Sequence, residues 1–208
     1  MAETPGARIL VRYSGDLTTK ARATRQRFAT RLARNLKDAL GDARKGATVT
    51  RTRDRILIDA PAPIDPAPLT RVYGTQSISV AERREWKTLQ DLVDTGKALF
   101  ADAVRGRCFA VRAKRVGDRT RIPVSAQEIE RALGAELAPG AAGVDLTSPD
   151  VTVHLEVMPG EAYWFSERLP GPGGLPLGVE GNAVALASGG FDSVVAAWLM
   201  QKLSLIHI

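Results

Sequence analysis

The stretch "TTKARATRQRFATRLARNLKDAL", residues 18–40, decides the fold of the front of the chain. Phe28, Leu32, Leu36 and Leu40 recur every four residues and form one apolar stripe, which predicts an amphipathic helix capped by Thr18 or Thr19. Before it, "ARILVRY" (7–13) is rich in β-branched and aromatic residues and reads as a strand. After it, "ATVTRTRDRILIDA" (47–60) alternates, turns near Arg53 and Asp54 and continues into "ILI", the pattern of a hairpin. The prolines of "PAPIDPAP" mark a connection, "LTRVYG" (69–74) reads as a short helix ending at Gly74, and "QSISVA" (76–81) as a strand. The order β-α-β-β-α-β predicts a ferredoxin-like unit over about residues 1–82.

A second unit is expected over 83–168. "EWKTLQDLVDTGKALFADAV" places Trp86, Leu89, Leu92 or Val93, and Leu99 or Phe100 at helical period, and "CFAVRAKRV" is strand-like. "VSAQEIERALGAEL" has Ser125 three positions before Glu128, the spacing of a capping box. "PDVTVHLEVMPGEAYWFSE" reads as two strands around "MPGE", with Val151, Val153, Leu155 and Val157 on one face and His154 on the other. His154 has no obvious acid or nucleophile beside it in sequence, so it is read as solvated or backbone-bonded. Trp86 and Trp164 are read as packing residues. "PGPGGLPLG" (170–178) holds seven Gly/Pro in nine positions and reads as a linker, assigned to 169–181, before a third element at 182–208.

The composition, 44% hydrophobic and 25% charged, is that of a soluble globular protein, and no stretch has the roughly 18 uninterrupted apolar residues of a membrane span. "MAETPGARIL" has an acid and no long apolar core, so it is not read as a secretory signal, and the cytoplasm is the expected location. The single cysteine, Cys108, excludes an intramolecular disulfide and a cysteine-built metal cluster within these residues, and is expected as a small core residue. No metal site and no catalytic residue is singled out.

The net charge of +6 hides a local asymmetry: Met1 to Arg55 carries fourteen Lys/Arg against five acids, an excess of nine. A second basic run, Arg105 to Arg121, has seven basic residues against Asp118 alone. Such concentrated charge attracts polyanions and points to nucleic acid, although solvated surfaces also carry charge runs. Lys20, Arg27, Arg31 and Arg34 fall at i, i+7, i+11 and i+14, on a face away from the apolar stripe. They are the candidate RNA-binding residues of the front unit, with Arg112, Lys114 and Arg115 their counterparts in the second basic run.

"NAVALA" (182–187) reads as a buried strand and "VVAAWLMQKL" (194–203) as a helix apolar on most sides, suited to packing under a sheet. Between them stands "SGGFDS" (188–193). A strand feeding a glycine turn into a helix leaves unpaired backbone amides aimed at one spot, together with the positive end of the helix dipole. Gly189 and Gly190 allow close approach to phosphate oxygens, and Ser188 and Ser193 offer hydroxyls. Asp192 either caps the helix or recruits a cation such as magnesium. No lysine occupies the "GxxxxGKS/T" position, which excludes a Walker-type loop. The plain alternative is a glycine turn joining strand to helix with Ser193 as its cap.

"SGGFDS" resembles the "SGGxDS" loop of the ATP-pyrophosphatase group. With "GGLPLG", "SPDVTVHLEV", "CFAVRAKRVG" and "VRYSGDLTTKARATRQRF", the chain resembles the tRNA 4-thiouridine synthase family, ThiI, from about residue 8 to residue 202. The resemblance implies an α+β N-terminal half, a ferredoxin-like domain plus a THUMP domain that in the family begins near residue 66, followed by the start of an α/β ATP-pyrophosphatase (PP-loop) domain. It implies tRNA held by its acceptor end, ATP and magnesium as cofactors, adenylation of the uridine 4-oxygen with release of pyrophosphate, and sulfur from a cysteine desulfurase or other persulfide donor. A part in thiazole synthesis for thiamine and a homodimer are implied as well. Ser188, Gly189, Gly190, Asp192 and Ser193 would form the pyrophosphate loop, with Leu186 and Ala187 at the strand end beside the adenosine. Val194 stands where the family often has proline or another small residue.

A pyrophosphatase domain needs more strands and helices than residues 182–208 hold, since a lone strand and helix bury too little apolar surface. "LSLIHI" (203–208) departs from the family's continuation and looks like sequencing-adaptor read-through, so an incomplete gene is expected, and these 208 residues would act as a tRNA-binding module without catalysis. The competing readings are a non-catalytic RNA-binding module and another PP-loop ATP-pyrophosphatase, such as an amide-forming ligase.

Overall fold

The structure is a computed structural model that describes residues 8–186, 188–204 and 206–207. In chain order the front of the chain forms strand β1 (Arg8–Tyr13), a one-turn helix α1 (Gly15–Thr18), helix α2 (Arg22–Ala39), strands β2 (Thr48–Arg51) and β3 (Arg55–Asp59), a 3-10 turn at Leu69–Arg71, and strand β4 (Thr75–Glu85). Helix α3 (Leu89–Val104), strand β5 (Cys108–Arg115), helix α4 (Ala126–Leu137) and strands β6 (Gly143–Val144), β7 (Val151–Met158) and β8 (Glu161–Phe165) follow. Strands β9 (Leu169–Pro170) and β10 (Asn182–Ala183), helix α5 (Phe191–Gln201) and strand β11 (Ile206–His207) complete it. The chain divides into two compact units, Met1–Val80 with Arg168–Ile208, and Ala81–Glu167.

In the first unit the strand order β2-β3-β1-β4 is that of a ferredoxin-like sheet. β1 runs antiparallel to β3 with Ile9 opposite Ile58 and Val11 opposite Ile56, and these alternate residues share one face. The stripe Phe28, Leu32 and Leu36 of α2 closes over that face, every one of these side chains fully buried, with Leu69 and Ile78 completing the core. Two expectations shift. Neither Thr18 nor Thr19 caps α2; Ser14 caps α1 first, accepting from the Leu17 amide, and α2 begins at Arg22 behind Ala21 with no side-chain cap. The expected helix over 69–74 contracts to a single 3-10 turn.

In the second unit the last residues of β4 pair with β8, and the order continues β8-β7-β5-β6, with β5 parallel to β7. Val153, Leu155 and Val157 face the core as the alternation requires, joined by Trp86 and Trp164. His154, on the other face, stacks on Phe165 with ring centroids 5.0 Å apart. The Ser125–Glu128 capping box is present at α4, and Thr88 with Asp91 forms another at α3. Both acids are held below the usual carboxylate range, chiefly because backbone amides donate to them. Cys108 is half-buried at the start of β5 rather than a core residue.

Gly96, in the middle of α3, has a packing reason. A Cβ there would lie 2.7 Å from Leu133 Cδ2 and 2.9 Å from Trp164 Cη2, so α4 and the sheet approach the bare backbone of α3. Mid-helix glycine costs about 1 kcal/mol relative to alanine, and this close approach offsets it. Gly96→Val is expected to lower the unfolding free energy of the chain by about 1–3 kcal/mol through overpacking, read as a shift of the denaturant midpoint.

Candidate nucleic-acid interface and phosphate turn

The charged residues of the front unit do not spread evenly. Arg22, Arg25 and Arg27 on the first turns of α2 and Arg51 and Arg53 on the β2–β3 hairpin line one open groove of about 940 Å³. Arg51 is oriented there: its guanidinium donates to Thr30 Oγ1 at 2.8 Å, while the Thr30 hydroxyl donates to the Gln26 carbonyl. Tyr13, at the end of β1, donates its hydroxyl to the Thr52 carbonyl at 3.1 Å and the Arg55 carbonyl at 3.2 Å, so the hairpin that carries Arg51 and Arg53 is tied to the sheet.

The residues expected from sequence take different places. Lys20 is exposed in the turn before α2 and is not part of the helix. Arg27 is exposed, with its guanidinium 5.2 Å from the centre of the Phe28 ring, and it is the one candidate that lines the groove. Arg34 is exposed and outside the groove. Arg31 is half-buried and donates to the Gly178 carbonyl at 3.0 Å, so its guanidinium is held by the chain itself. Sequence reasoning passed over Arg22, Arg25, Arg51 and Arg53; the signal was the density of arginine in "KARATRQR" and "TRTRDR", which counts toward total charge but does not by itself bring helix and hairpin together.

In the second unit Arg112 donates to the Leu146 carbonyl and borders a 400 Å³ pocket with Phe109, Val111, Glu130, Arg131 and Leu146. Lys114 is exposed on the same strand. Arg115 is half-buried, reaching toward the Ile122 carbonyl at 3.5 Å.

The Gly/Pro stretch, expected as a linker, packs on the front unit as a strap. β9 pairs with β4, the Gly171 and Gly173 amides donate to the Gln76 and Thr75 carbonyls, and Ser14 Oγ donates to the Gly174 carbonyl at 2.6 Å. Leu175 is buried in the core, and Asn35 donates to the Leu177 carbonyl at 3.1 Å, beside the Arg31 contact. Gly174 is needed here: its φ is +70° and a Cβ would fall 2.2 Å from the Lys202 carbonyl oxygen.

The strap leads to the "SGGFDS" turn. Gly189 has φ +80° and open space where a Cβ would stand, and Gly190 is the N-cap of α5 without a side-chain cap. Ser193 Oγ donates to the Gly190 carbonyl at 2.8 Å, so it closes the turn rather than capping the amides. Asp192 is exposed in the first helical turn, where its charge favours the dipole. Among the described residues no loop or neighbouring element accepts from the amides of 189–193. The turn therefore leaves these amides open to an anion. For an adenosine it provides no wall: Leu186 is 90% exposed, and Ala187 lies outside the described residues. No group of three or more metal-ligating side chains occurs among the described residues. α5, expected under a sheet, presents Phe191 and Trp198 to solvent at 91% and 56% exposure.

With this geometry in hand, comparison with known proteins is decisive for the front of the chain. Residues 8–79 match the ThiI ferredoxin-like domain and residues 87–166 the THUMP domain. The chain carries a ThiI ferredoxin-like domain followed by a THUMP domain. The resemblance to the ThiI family expected from sequence is borne out, as is the fold class of the front half. The chain is 41% identical over 206 residues to a probable tRNA sulfurtransferase of Aeropyrum pernix, covering 96% of this chain and 51% of that protein. It is 35% identical to one of Saccharolobus solfataricus, covering 96% and 52%. It thus spans about half the length of the curated relatives it matches. A 4-thiouridine synthetase crystallised as an RNA complex with bound ATP superposes with a TM-score of 0.73 at 27% identity, covering 97% of this chain and 51% of that one. A protein of Pyrococcus horikoshii Ot3 gives a TM-score of 0.75 at 27% identity, covering 97% and 68%. Among the described residues no helix is long and apolar enough to cross a membrane.

Two outcomes follow for the ThiI ferredoxin-like domain. Replacing Arg31 and Asn35 together by alanine is expected to release the strap, read as faster amide hydrogen exchange over 173–179 with little change in β1 and β3. Burial raises the Tyr13 hydroxyl from its ordinary value near 10 to about 12. The folded state therefore favours the neutral phenol, so this stabilisation is complete below pH 10 and is lost as pH rises from 10 through 12. Tyr13→Phe is expected to flatten the fall in stability over that window, measured by chemical denaturation at a series of pH values.

Proposed function

We propose that this chain is the RNA-holding front and the nucleotide turn of an ATP-dependent tRNA uridine 4-sulfurtransferase. The observation that carries the proposal is the joining, in one chain, of an arginine-rich ThiI ferredoxin-like domain and a THUMP domain to an open glycine turn at the N-terminus of α5. We assign 1–82 to the ferredoxin-like domain, 83–168 to the THUMP domain, 169–181 to the connecting segment and 182–208 to the start of a PP-loop domain.

Ser188, Gly189, Gly190, Asp192 and Ser193 would hold the pyrophosphate part of ATP, and Leu186 and Ala187 would flank its adenosine. Backbone amides there stabilise phosphate charge with no lysine, and Asp192 is the position for a magnesium ion. Bound ATP supplies the adenylyl group that makes the uridine 4-oxygen a leaving group. The front domains hold the tRNA by its acceptor end, with Lys20, Arg27, Arg34, Arg112, Lys114 and Arg115 as basic residues available to it, while Arg31 is held by the strap. A cysteine desulfurase or other persulfide donor provides the sulfur, and a part in thiamine thiazole formation, a homodimeric assembly and a cytoplasmic setting belong to the same reading. The exposed apolar side of α5 favours a second reading for these 208 residues: RNA binding without turnover.

The test is tRNA binding by the chain at several salt concentrations. Affinity is expected to fall steeply with salt, as released counterions dictate, while uridine-dependent pyrophosphate release stays at background. Salt-independent binding, or none, would remove the RNA-holding role; robust pyrophosphate release would overturn the second reading in favour of a competent enzyme.

A further inference from the structure

The groove between the first turns of α2 and the β2–β3 hairpin gathers five guanidinium groups, from Arg22, Arg25, Arg27, Arg51 and Arg53. Among the described residues none of the five pairs with a carboxylate, although ion pairs form elsewhere on the same chain, as between Arg8 and Asp59 and between Lys97 and Glu136. The acid nearest in sequence, Asp54, sits in the hairpin turn and does not line the groove. Five like charges converging without counter-charge repel one another and destabilise the fold locally, unless an anion spans them.

Two further features narrow the anion. The groove's volume of about 940 Å³ lies at the upper end of the range for small-molecule sites, and it is open rather than enclosed. Its lining holds arginines, small residues, Gln26 and two threonines, with no aromatic side chain. Sites for unpaired nucleotides stack bases on aromatic rings, whereas base-paired RNA is held by its phosphates and ribose hydroxyls. The chemistry here is of the second kind.

Resting on the RNA-binding reading above, we infer that this groove is the phosphodiester site of the front unit and holds the backbone of a base-paired stretch of RNA without reading its bases. Arg22, Arg25, Arg51 and Arg53 are its contacts, shared with Arg27. Thr30 is a positioning residue: its hydroxyl accepts from Arg51 and is itself fixed by the Gln26 carbonyl, so a flexible cation becomes a directed one. Arg31, occupied by the strap, serves the fold.

The experiment measures binding of the 208-residue chain to a tRNA transcript, to a base-paired RNA hairpin of unrelated sequence and to an unstructured single strand, each over a range of salt. Four proteins are compared: the parent, Arg25→Gln/Arg51→Gln/Arg53→Gln, the equal-charge control Lys37→Gln/Arg44→Gln/Lys45→Gln, and Thr30→Val. Circular dichroism and thermal melting confirm that each folds. The groove variant is expected to lose about 2 from the log–log salt slope on tRNA and on the hairpin alike, at roughly 0.7–0.9 for each phosphate contact removed. The control is expected to keep the parent slope. Thr30→Val, with unchanged charge, is expected to weaken binding about two- to threefold.

Equal slopes for the groove variant and the control would overturn the inference while leaving the RNA-binding reading intact. A loss confined to tRNA, or as large on the single strand as on the hairpin, would overturn the assignment to base-paired backbone. Parent affinity in Thr30→Val would remove its positioning role. A parent chain that binds none of the three RNAs overturns the RNA-binding reading and this inference together.

Discussion

Burial of one stripe on α2 organises the front of the molecule. Phe28, Leu32 and Leu36 have no exposed surface, and the face they meet, Ile9 and Val11 on β1 with Ile56 and Ile58 on β3, exists only because the antiparallel β1–β3 register puts those four residues on one side. At roughly 1.5–3 kcal/mol for each large apolar side chain removed from water, this contact outweighs any preference of the surface charges. Once the stripe is seated, the helix cannot rotate. The arginines on its first turns must then overhang the hairpin, and those at its far side must face elsewhere.

The same constraint gives the Gly/Pro segment its place. Glycine and proline are common in flexible connections, but here they allow close packing: the segment adds β9 to the edge of β4, buries Leu175 and draws carbonyls within reach of Arg31 and Asn35. Gly174 accepts a left-handed backbone and the near contact of the Lys202 carbonyl, a position no side chain could share. Two chemically similar arginines, one on α2 and one on the hairpin beside it, therefore divide their work. Arg31 is consumed by backbone carbonyls, while Arg51 of the facing hairpin is aimed by Thr30 into open solvent.

At the "SGGFDS" turn the local design is complete and its surroundings are sparse. Gly189 and Gly190 keep the approach to the helix N-terminus clear, yet the apolar side of α5 is exposed and Leu186 stands in solvent. A phosphate needs only convergent amides; an adenosine needs walls. Open amides can be arranged by about six consecutive residues, whereas walls come from elements distant in the chain.

The amino-acid sequence by itself determined the elements and the type of fold. The four-residue period of α2, the alternation of β7, the hairpin at Arg53 and Asp54 and the Ser125–Glu128 capping box are local patterns whose physics acts between near neighbours, and the ferredoxin-like order could be read from them. It also displayed the glycine turn, because amide geometry there depends on six consecutive residues. Only the tertiary structure decided which arginines meet, that Arg31 is taken up by the strap, that Ser14 and not Thr18 or Thr19 opens the helical segment, and that a proline-rich stretch belongs to a core. These outcomes turn on residues far apart in the chain being brought together: Arg25 and Arg53 along one groove, Ser14 with Gly174, Arg31 with Gly178. Such contacts depend on how the strip of buried side chains orients each element, which a one-dimensional spacing does not encode.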